Sequence, residues 1–549
     1  MSIIGTALSG LMAAQRSLET ASHNIANVNT EGYSRQRAEY ATRQAEYGGV
    51  GFVGQGVNVV TVARSYDQFI TAQLNGSTSG FSETNGFYKL ASQVDNLLAN
   101  PATGISATLK SFFSAVNQVA NDPASIPARQ VLLSEADSLT GQFSTLSSQF
   151  DNLRTQTNNQ MQAVTTEINS YSKSIAELNA KIMSQTGLSA NERLPNDLYD
   201  QRDALVSKIA EKINVSTIAQ ADGSMSIFVG NGQSLVLGVT AAQMSLGNLS
   251  TDYAQKTVLI DNQDITSQVT GGELAGTLKF RDDVLDQAQN YIGLVAAGVS
   301  SEFNALQSLG FDLSGNPGAA LFTDYASQAI PVHAGANNPG GAGSTVTASF
   351  DPPPPAIPTA NLVASDYSLT YDGSNYYLKQ LSDNTVSIFT SGPITGSGFT
   401  LDPIGTVAGD SFLIRPTFEA ARNIKTQITD PRAIAAAGST PVGPGDNTNA
   451  LEMAKLENKT AMLGGKSTFS NVYGQLITKV GNLTHAAGVS SAAQEVVLNQ
   501  AKTTRENLSG VNLDEEAANL IKFQNAYQAS AQSISIINSL FDSLLGAVR

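Results

Sequence analysis

The sequence predicts a mainly α-helical protein with β insertions. Its parts are terminal coiled-coil helices, an elongated helical-bundle core and one small inserted β domain. Three observations carry this reading: sevenfold apolar repeats at both ends, a long helical seam after Pro127, and a change of composition between residues 321 and about 430. A chain of 549 residues also exceeds one ordinary domain of about 150.

At the start, Ile4, Leu11, Leu18 and Ile25 lie seven apart, with Ala7, Ala14, Ala21 and Val28 three behind each. At the finish, Leu520, Tyr527, Ile534, Phe541 and Val548 repeat at seven, with Phe523, Ser530, Ile537 and Leu544 three behind. These are a/d seams of the coiled-coil kind. Asn512 caps the last helix, Glu515 completes a capping box, and Asp514, Glu515 and Glu516 dress a first turn whose dipole favours carboxylates. The first helix ends at the Asn- and Gly-bearing run Asn27 to Tyr33, and residues 36 to 65 read as a Gly-rich loop with short strands such as Val57 to Val62.

Helical patterning returns from about Tyr66 to Asn100. The longest helix starts near Pro127, with a seam through Leu132, Leu139, Phe143, Leu146 and Phe150. Two four-residue steps through Thr157 to Met161 make a stutter before the seam resumes at Val164, Ile168, Ile175 and Ile182. Gly141 is a candidate break and Gly187 a candidate cap. A strand-rich patch spans Val215 to about Gly272, and helix follows from Leu274 to Leu309. Gly335 to Gly343, Pro352 to Pro355 and alternating runs near Ser411 to Ile414 mark the inserted β domain. Helix resumes near Leu451, pauses at Gly464-Gly465 and continues to the end. The expected division is 1–35 with 511–549 as a terminal coiled-coil domain, 36–320 with 445–510 as the helical core, and 321–430 as the insertion.

The chain carries 31 basic and 46 acidic side chains, a net charge of −15, so it has no overall basic footprint and no nucleic-acid partner is expected. It has no cysteine, which removes disulfides, Cys-ligated metals and thiol nucleophiles. His23, His333 and His485 lack ligand spacing, and Asp282-Asp283 are adjacent on a helix, pointing about 100° apart. No nucleophile elbow, phosphate loop or dinucleotide fingerprint occurs. No catalytic, cofactor or metal site is expected, and the protein reads as a non-enzyme. Met1 to Gly5 show no cleaved secretory signal, and the longest apolar stretch, Ile292 to Val299, is far below the roughly 18 residues of a membrane span. No membrane insertion is expected. The candidate interface is the pair of terminal seams: Ile4, Leu11, Leu18, Ile25, Leu520, Phe523, Tyr527, Ile534, Ile537, Phe541 and Leu544. A single helix with one apolar stripe is marginal in water, so each end is expected to fray in a free subunit.

The run Ala7-Leu8-Ser9-Gly10-Leu11-Met12-Ala13-Ala14-Gln15, with Asn24 through Gln36, resembles the N-terminal signature of bacterial flagellar axial proteins. The C-terminal run Ser509-Gly510-Val511-Asn512-Leu513-Asp514-Glu515-Glu516, with Phe523 to Ala529, resembles the hook-associated junction proteins of that family more than its rod proteins, hook protein or flagellin. The resemblance implies a structural subunit that joins hook to filament as a homo-oligomeric ring. It implies the hook protein on one side, the next hook-associated protein on the other, an export chaperone, and secretion through the flagellar type III channel to the extracellular flagellum. The alternatives are a rod or hook subunit of the same family, and a secreted adhesin or enzyme on a coiled-coil stalk. The last would need a convergent polar site within 321–430, and no motif in that stretch points to one.

Overall fold

The computed structural model describes residues 3–47, 51–102, 104–188, 194–325, 327–351 and 358–548. The Pro352 to Pro355 run falls outside them.

Both ends are long helices, α1 (Ile3–Ala26) and α11 (Leu513–Val548). They lie antiparallel: Asn24 meets Glu516 at one end, and Gly10 faces Ser530 further along. Between α1 and the core runs a two-stranded ribbon, β1 (Gln36–Thr42) against β4 (Val57–Arg64), extended by the short pair β2 (Glu46–Tyr47) and β3 (Phe52–Val53). The ribbon packs on the face of α1 that carries Ser9, Ala13, Ser17 and Asn24, all buried. Small and polar side chains allow the close approach: Ser9 Oγ accepts from the Val57 amide at 3.1 Å, and Ser17 bonds the Tyr40 hydroxyl.

The core is a bundle of α2 (Gln68–Ala99), α3 (Ser106–Asn121), α4 (Ile126–Leu188), α5 (Asn196–Lys212), α6 (Gly272–Phe280), α7 (Asp286–Leu309), the one-turn α8 (Ala420–Asn423), α9 (Thr448–Lys455) and α10 (Phe469–Ser509). Asp67 caps α2 through the amides of Phe69 and Ile70. Helix α4 runs 63 residues, on the order of 95 Å, without a break at Gly141. It also continues through Gly187 to Leu188. The stutter has a structural meaning. Before it, Leu139, Phe143 and Phe150 join one core with Phe112, Phe113 and Phe303. After it, Met161, Ile168 and Ile175 join a second core with Ile209 of α5 and with Ile227, Val236 and Val258 of the β patch. The slip in phase turns the seam from the first partner set to the second.

That β patch holds a four-stranded sheet, β5 (Val215–Ala219), β6 (Met225–Val229), β7 (Gln233–Leu237) and β8 (Thr240–Ala241), and a three-stranded one, β9 (Met244–Leu249), β10 (Asp252–Ile260) and β11 (Gln263–Asp264). Helices α6 and α7 are joined by a π-helical turn, Arg281–Leu285, where a plain α-helix carrying Asp282 and Asp283 was expected. The wide turn buries Arg281, whose guanidinium donates to the Lys256 carbonyl.

The insertion contains β12 (Val332–Ala334), β13 (Thr345–Phe350), β14 (Tyr367–Tyr371), β15 (Tyr376–Gln380), β16 (Val386–Phe389), β17 (Ile394–Thr395), β18 (Phe399–Ile404) and β19 (Ser411–Ile414). One sheet has the order β12-β19-β14-β15-β16 and the other β13-β18-β17. They stack through Tyr367 on Phe399, ring centroids 4.8 Å apart. The strand β13 alternates exposed and buried, as a sheet with one covered face requires. Its attachment to the bundle is apolar at Phe322, which packs on Phe112 and Phe303. It is ionic at Arg415, which pairs with Asp366 of the insertion and Asp252 of the core.

Candidate assembly interface at the paired termini

The predicted seams meet inside one chain over most of their length. In α11, Glu516, Leu520, Phe523, Ser530, Ile534 and Ile537 form the buried or half-buried stripe, in steps of three, four and seven. In α1, Ala14 and Ala21 are buried, and Leu11, Leu18 and Ile25 are half-buried. Ile4 and Tyr527, at 38% and 37% exposed, sit at the margin. Phe541 and Leu544 are different: α1 has 24 residues and α11 has 36, so the seam of α11 outlasts its partner. These two side chains are 60% and 66% exposed, and Ile536, Leu540 and Leu545 beside them are open as well. Free fraying of single helices is not what the fold displays; the two ends are paired.

What fixes the pair to the core is a polar knot that sequence reasoning missed. Asn24 is buried, and its side chain acts as a strand partner for Gln36, accepting from the Gln36 amide at 2.9 Å and donating to the Gln36 carbonyl at 2.9 Å. The same oxygen accepts from the Tyr33 hydroxyl at 2.8 Å, and the same nitrogen donates to Glu516 at 3.2 Å. Burial, with the Asp197, Asp200 and Glu516 carboxylates around it, raises the Tyr33 hydroxyl above the ordinary phenol range and keeps it a donor. Glu516, itself buried, takes Arg35 Nε at 2.7 Å, while Glu515 takes Arg35 Nη1 at 2.7 Å. Glu516 is therefore a buried ionic anchor as well as first-turn dressing. Half of the predicted capping box forms: the Asn512 side chain accepts from the Asp514 and Glu515 amides, and Glu515 turns to Arg35.

The knot continues into the core. The Ser34 amide donates to Asp200, and Arg64 bridges Asp200 and Asp203 at 2.9 and 2.6 Å. The Ser65 amide donates to the Arg35 carbonyl and the Arg35 amide to the Ser509 carbonyl, the Ser509 hydroxyl donates to the Ser65 carbonyl, and Arg505 donates to the Gly32 carbonyl. Gly32 needs its positive φ of 83° here, with Ala204 packed where a side chain would go. Asn24, Gly32, Tyr33, Ser34, Arg35, Ser509 and Glu516 are thus the motif residues at the two ends, and the fold brings all of them to one joint. Arg64, Asp200 and Asp203 had no sequence signal beyond charge.

His23 sits at the rim of the joint, with Nδ1 3.0 Å from the Tyr33 hydroxyl and Nε2 3.7 Å from Asp197. Among the described residues, no three His, Cys, Asp or Glu side chains gather closely enough to hold a metal ion. No described helix is long and apolar enough to cross a membrane. The arrangement is a helix pair fastened to the core by a polar joint, with an apolar overhang of α11 past the end of α1.

Comparison with known proteins agrees in every region. Residues 91–322 match the model of the flagellar hook-associated protein FlgK helical domain, and residues 341–416 the D2-like domain of flagellar hook-associated protein 1. Residues 4–33 match the flagella basal body rod protein model, and 505–547 the C-terminal model of the flagellar basal body rod FlgEFG proteins. Flagellar hook-associated protein 1 of Salmonella typhimurium is 34% identical over 99% of both chains, as is that of Escherichia coli. The solved structure of the flagellar hook junction protein FlgK from Burkholderia pseudomallei superposes with a TM-score of 0.73 at 26% identity, covering 80% of this chain and 100% of that one.

Proposed function

Because the chain belongs to the flagellar hook-associated protein 1 family, structural proteins of the hook–filament junction, we propose that it joins hook to filament by self-assembly through its paired terminal helices. The observation that carries this is the mismatch between the two helices. Largely exposed Phe and Leu side chains on a seam that has run out of partner favour a partner from outside the chain. A second copy offers one: α1 leaves Ile4, Leu8 and Met12 open in steps of four along its flank. A contact between the α11 overhang of one copy and α1 of the next is head-to-tail, the type that closes into a ring when the rotation permits. In this reading the ring is homo-oligomeric, with the hook protein on one face and the next hook-associated protein on the other. The chain is carried outside the cell by the flagellar export system with a chaperone, and it works without catalysis. The three-part division expected from sequence goes with this proposal, residues 321–430 forming the outer appendage. Matches to the helical and D2-like domains of hook-associated proteins favour this over a rod or hook subunit.

The test is complementation with Phe541→Asp/Leu544→Asp in cells lacking the native chain. Hooks without filaments are expected, while the purified variant keeps its helical circular dichroism. Normal filaments would overturn the proposal.

A further inference from the structure

Three Asn-Gly pairs occur in the chain: Asn75-Gly76, Asn85-Gly86 and Asn231-Gly232. Such a pair is reactive because glycine has no side chain to screen its backbone nitrogen from the asparagine before it. The fold treats the three differently. Asn75 and Asn85 lie inside α2, where a glycine amide is tied to the carbonyl four residues back and the helical backbone holds the asparagine side chain off it. Asn75 is buried as well, its Oδ1 accepting from the Ser207 hydroxyl at 2.8 Å.

Asn231 is the opposite case. It is the middle residue of the turn Gly230-Asn231-Gly232 between β6 and β7, with Val229 and Gln233 facing each other across the hairpin. All three turn residues are exposed, and the Asn231 side chain has no hydrogen-bond partner among the described residues. The flanking glycines have positive φ, 54° and 103°, and the space where a side chain would stand at Gly232 is open. The Gly232 amide makes one bond, to the Val229 carbonyl at 3.2 Å. At the solvent-facing end of a hairpin, that bond opens at far lower cost than one inside a packed helix.

We propose that Asn231 is a self-modifying site. The Gly232 nitrogen, its proton given up to solvent base, attacks Asn231 Cγ; the new C–N bond closes a succinimide ring, and the side-chain nitrogen leaves as ammonia. Water then opens the ring. Cleavage at Cγ leaves an aspartate, and cleavage at the main-chain carbonyl carbon leaves an isoaspartate, whose side-chain carbons have become backbone. In sum, an amide and a water become a carboxylate and ammonium, with no oxidant or reductant. The isoaspartyl form lengthens the turn and strains the Val229–Gln233 register, behind which Val229, Leu235 and Val236 are buried in the second core. The turn has little room to shift, because the Gln268 carbonyl would stand 2.9 Å from a side-chain carbon at Gly230. The site is independent of the assembly reading.

The test is peptide mapping by mass spectrometry of the full chain held for days in mildly alkaline buffer, native and in guanidinium chloride. In the native chain the Asn231 amide is expected to be lost at least about tenfold faster than those of Asn75 and Asn85, the protection that about 1.4 kcal/mol of helix opening supplies. In denaturant the three rates should come together. An isoaspartyl carboxyl methyltransferase with labelled S-adenosylmethionine should mark the aged native chain. Asn231→Gln, whose longer side chain disfavours the ring, should remove that label and keep the helical circular dichroism. An Asn231 amide that persists, loss at Asn75 or Asn85 as fast as at Asn231, rates that keep their native spread in denaturant, or a label retained by Asn231→Gln would overturn the proposal.

Discussion

Glu516 and Asn24 show how much of the terminal architecture rests on two side chains. Each is buried, polar and fully used: Asn24 makes four hydrogen bonds, and Glu516 holds Arg35 and Asn24 together. Removing one partner of a buried ion pair leaves an uncompensated charge and costs several kcal/mol. Arg35 keeps Glu515 as a second, exposed partner, which moderates the loss. Glu516→Ala is therefore expected to weaken docking of the terminal pair by about 3 kcal/mol. Amide exchange in residues 3–26 and 513–537 should accelerate, with protection of α4 and α7 unchanged. Equal protection throughout would mean the knot carries no stability. These residues stood in the motifs read from the sequence, but their roles did not. A sequence displays an Asn and a Glu separated by nearly the whole chain, and only the fold makes them neighbours.

At the scale of elements, apolar periodicity located what it is able to locate. The terminal helices, α2, the full run of α4 with its stutter, and the return of helix after Leu451 follow from 3.5- and 3.6-residue spacing. Helices α3 and α5 were not read. In α3 the apolar face, Leu109, Phe112, Val116 and Val119, was present, but no cap announces it and Ile105 precedes it. In α5 the buried face includes Asp200 and Arg202, so its amphipathic signal is blurred by the very charges that build the joint. The π turn leaves no mark in periodicity at all. The terminal seam has a part covered by α1 and a part that is not, and one pair of substitutions distinguishes them. Ile534 faces α1 and is half-buried, so Ile534→Asp is expected to cost about 2 kcal/mol in the free subunit and open the terminal pair. That corrects the expectation of a frayed end with nothing to lose. Phe541→Asp lies past the end of α1 and should leave exchange in the free subunit unaltered. If both variants behave alike in the free subunit, the boundary between the intrachain seam and the overhang is misplaced.

Across the whole molecule, the insertion and the bundle were legible as separate stretches of composition, but not their connection. Apolar contact at Phe322 and the buried Arg415 ion pairs tie the insertion to the bundle. Its base is narrow: Val332 and Ile414 are cross-strand neighbours on β12 and β19. Deleting 333–413 and joining these ends with a short turn should therefore keep Arg415 on Asp252 and leave the bundle folded, read as unchanged helical circular dichroism per helical residue. Aggregation or loss of helix would show that the bundle depends on the insertion.

In the proposed ring the α11 overhang is covered only in the assembly. A chain without cysteine allows a direct measurement: a single Leu544→Cys, reacted with a maleimide in the free subunit and in isolated hook–filament junctions. Leu544 is two-thirds exposed, so rapid labelling of the free subunit and labelling slowed at least about tenfold in the junction are expected. Equal labelling rates in both states would mean that the overhang stays open in the junction and is not an assembly contact.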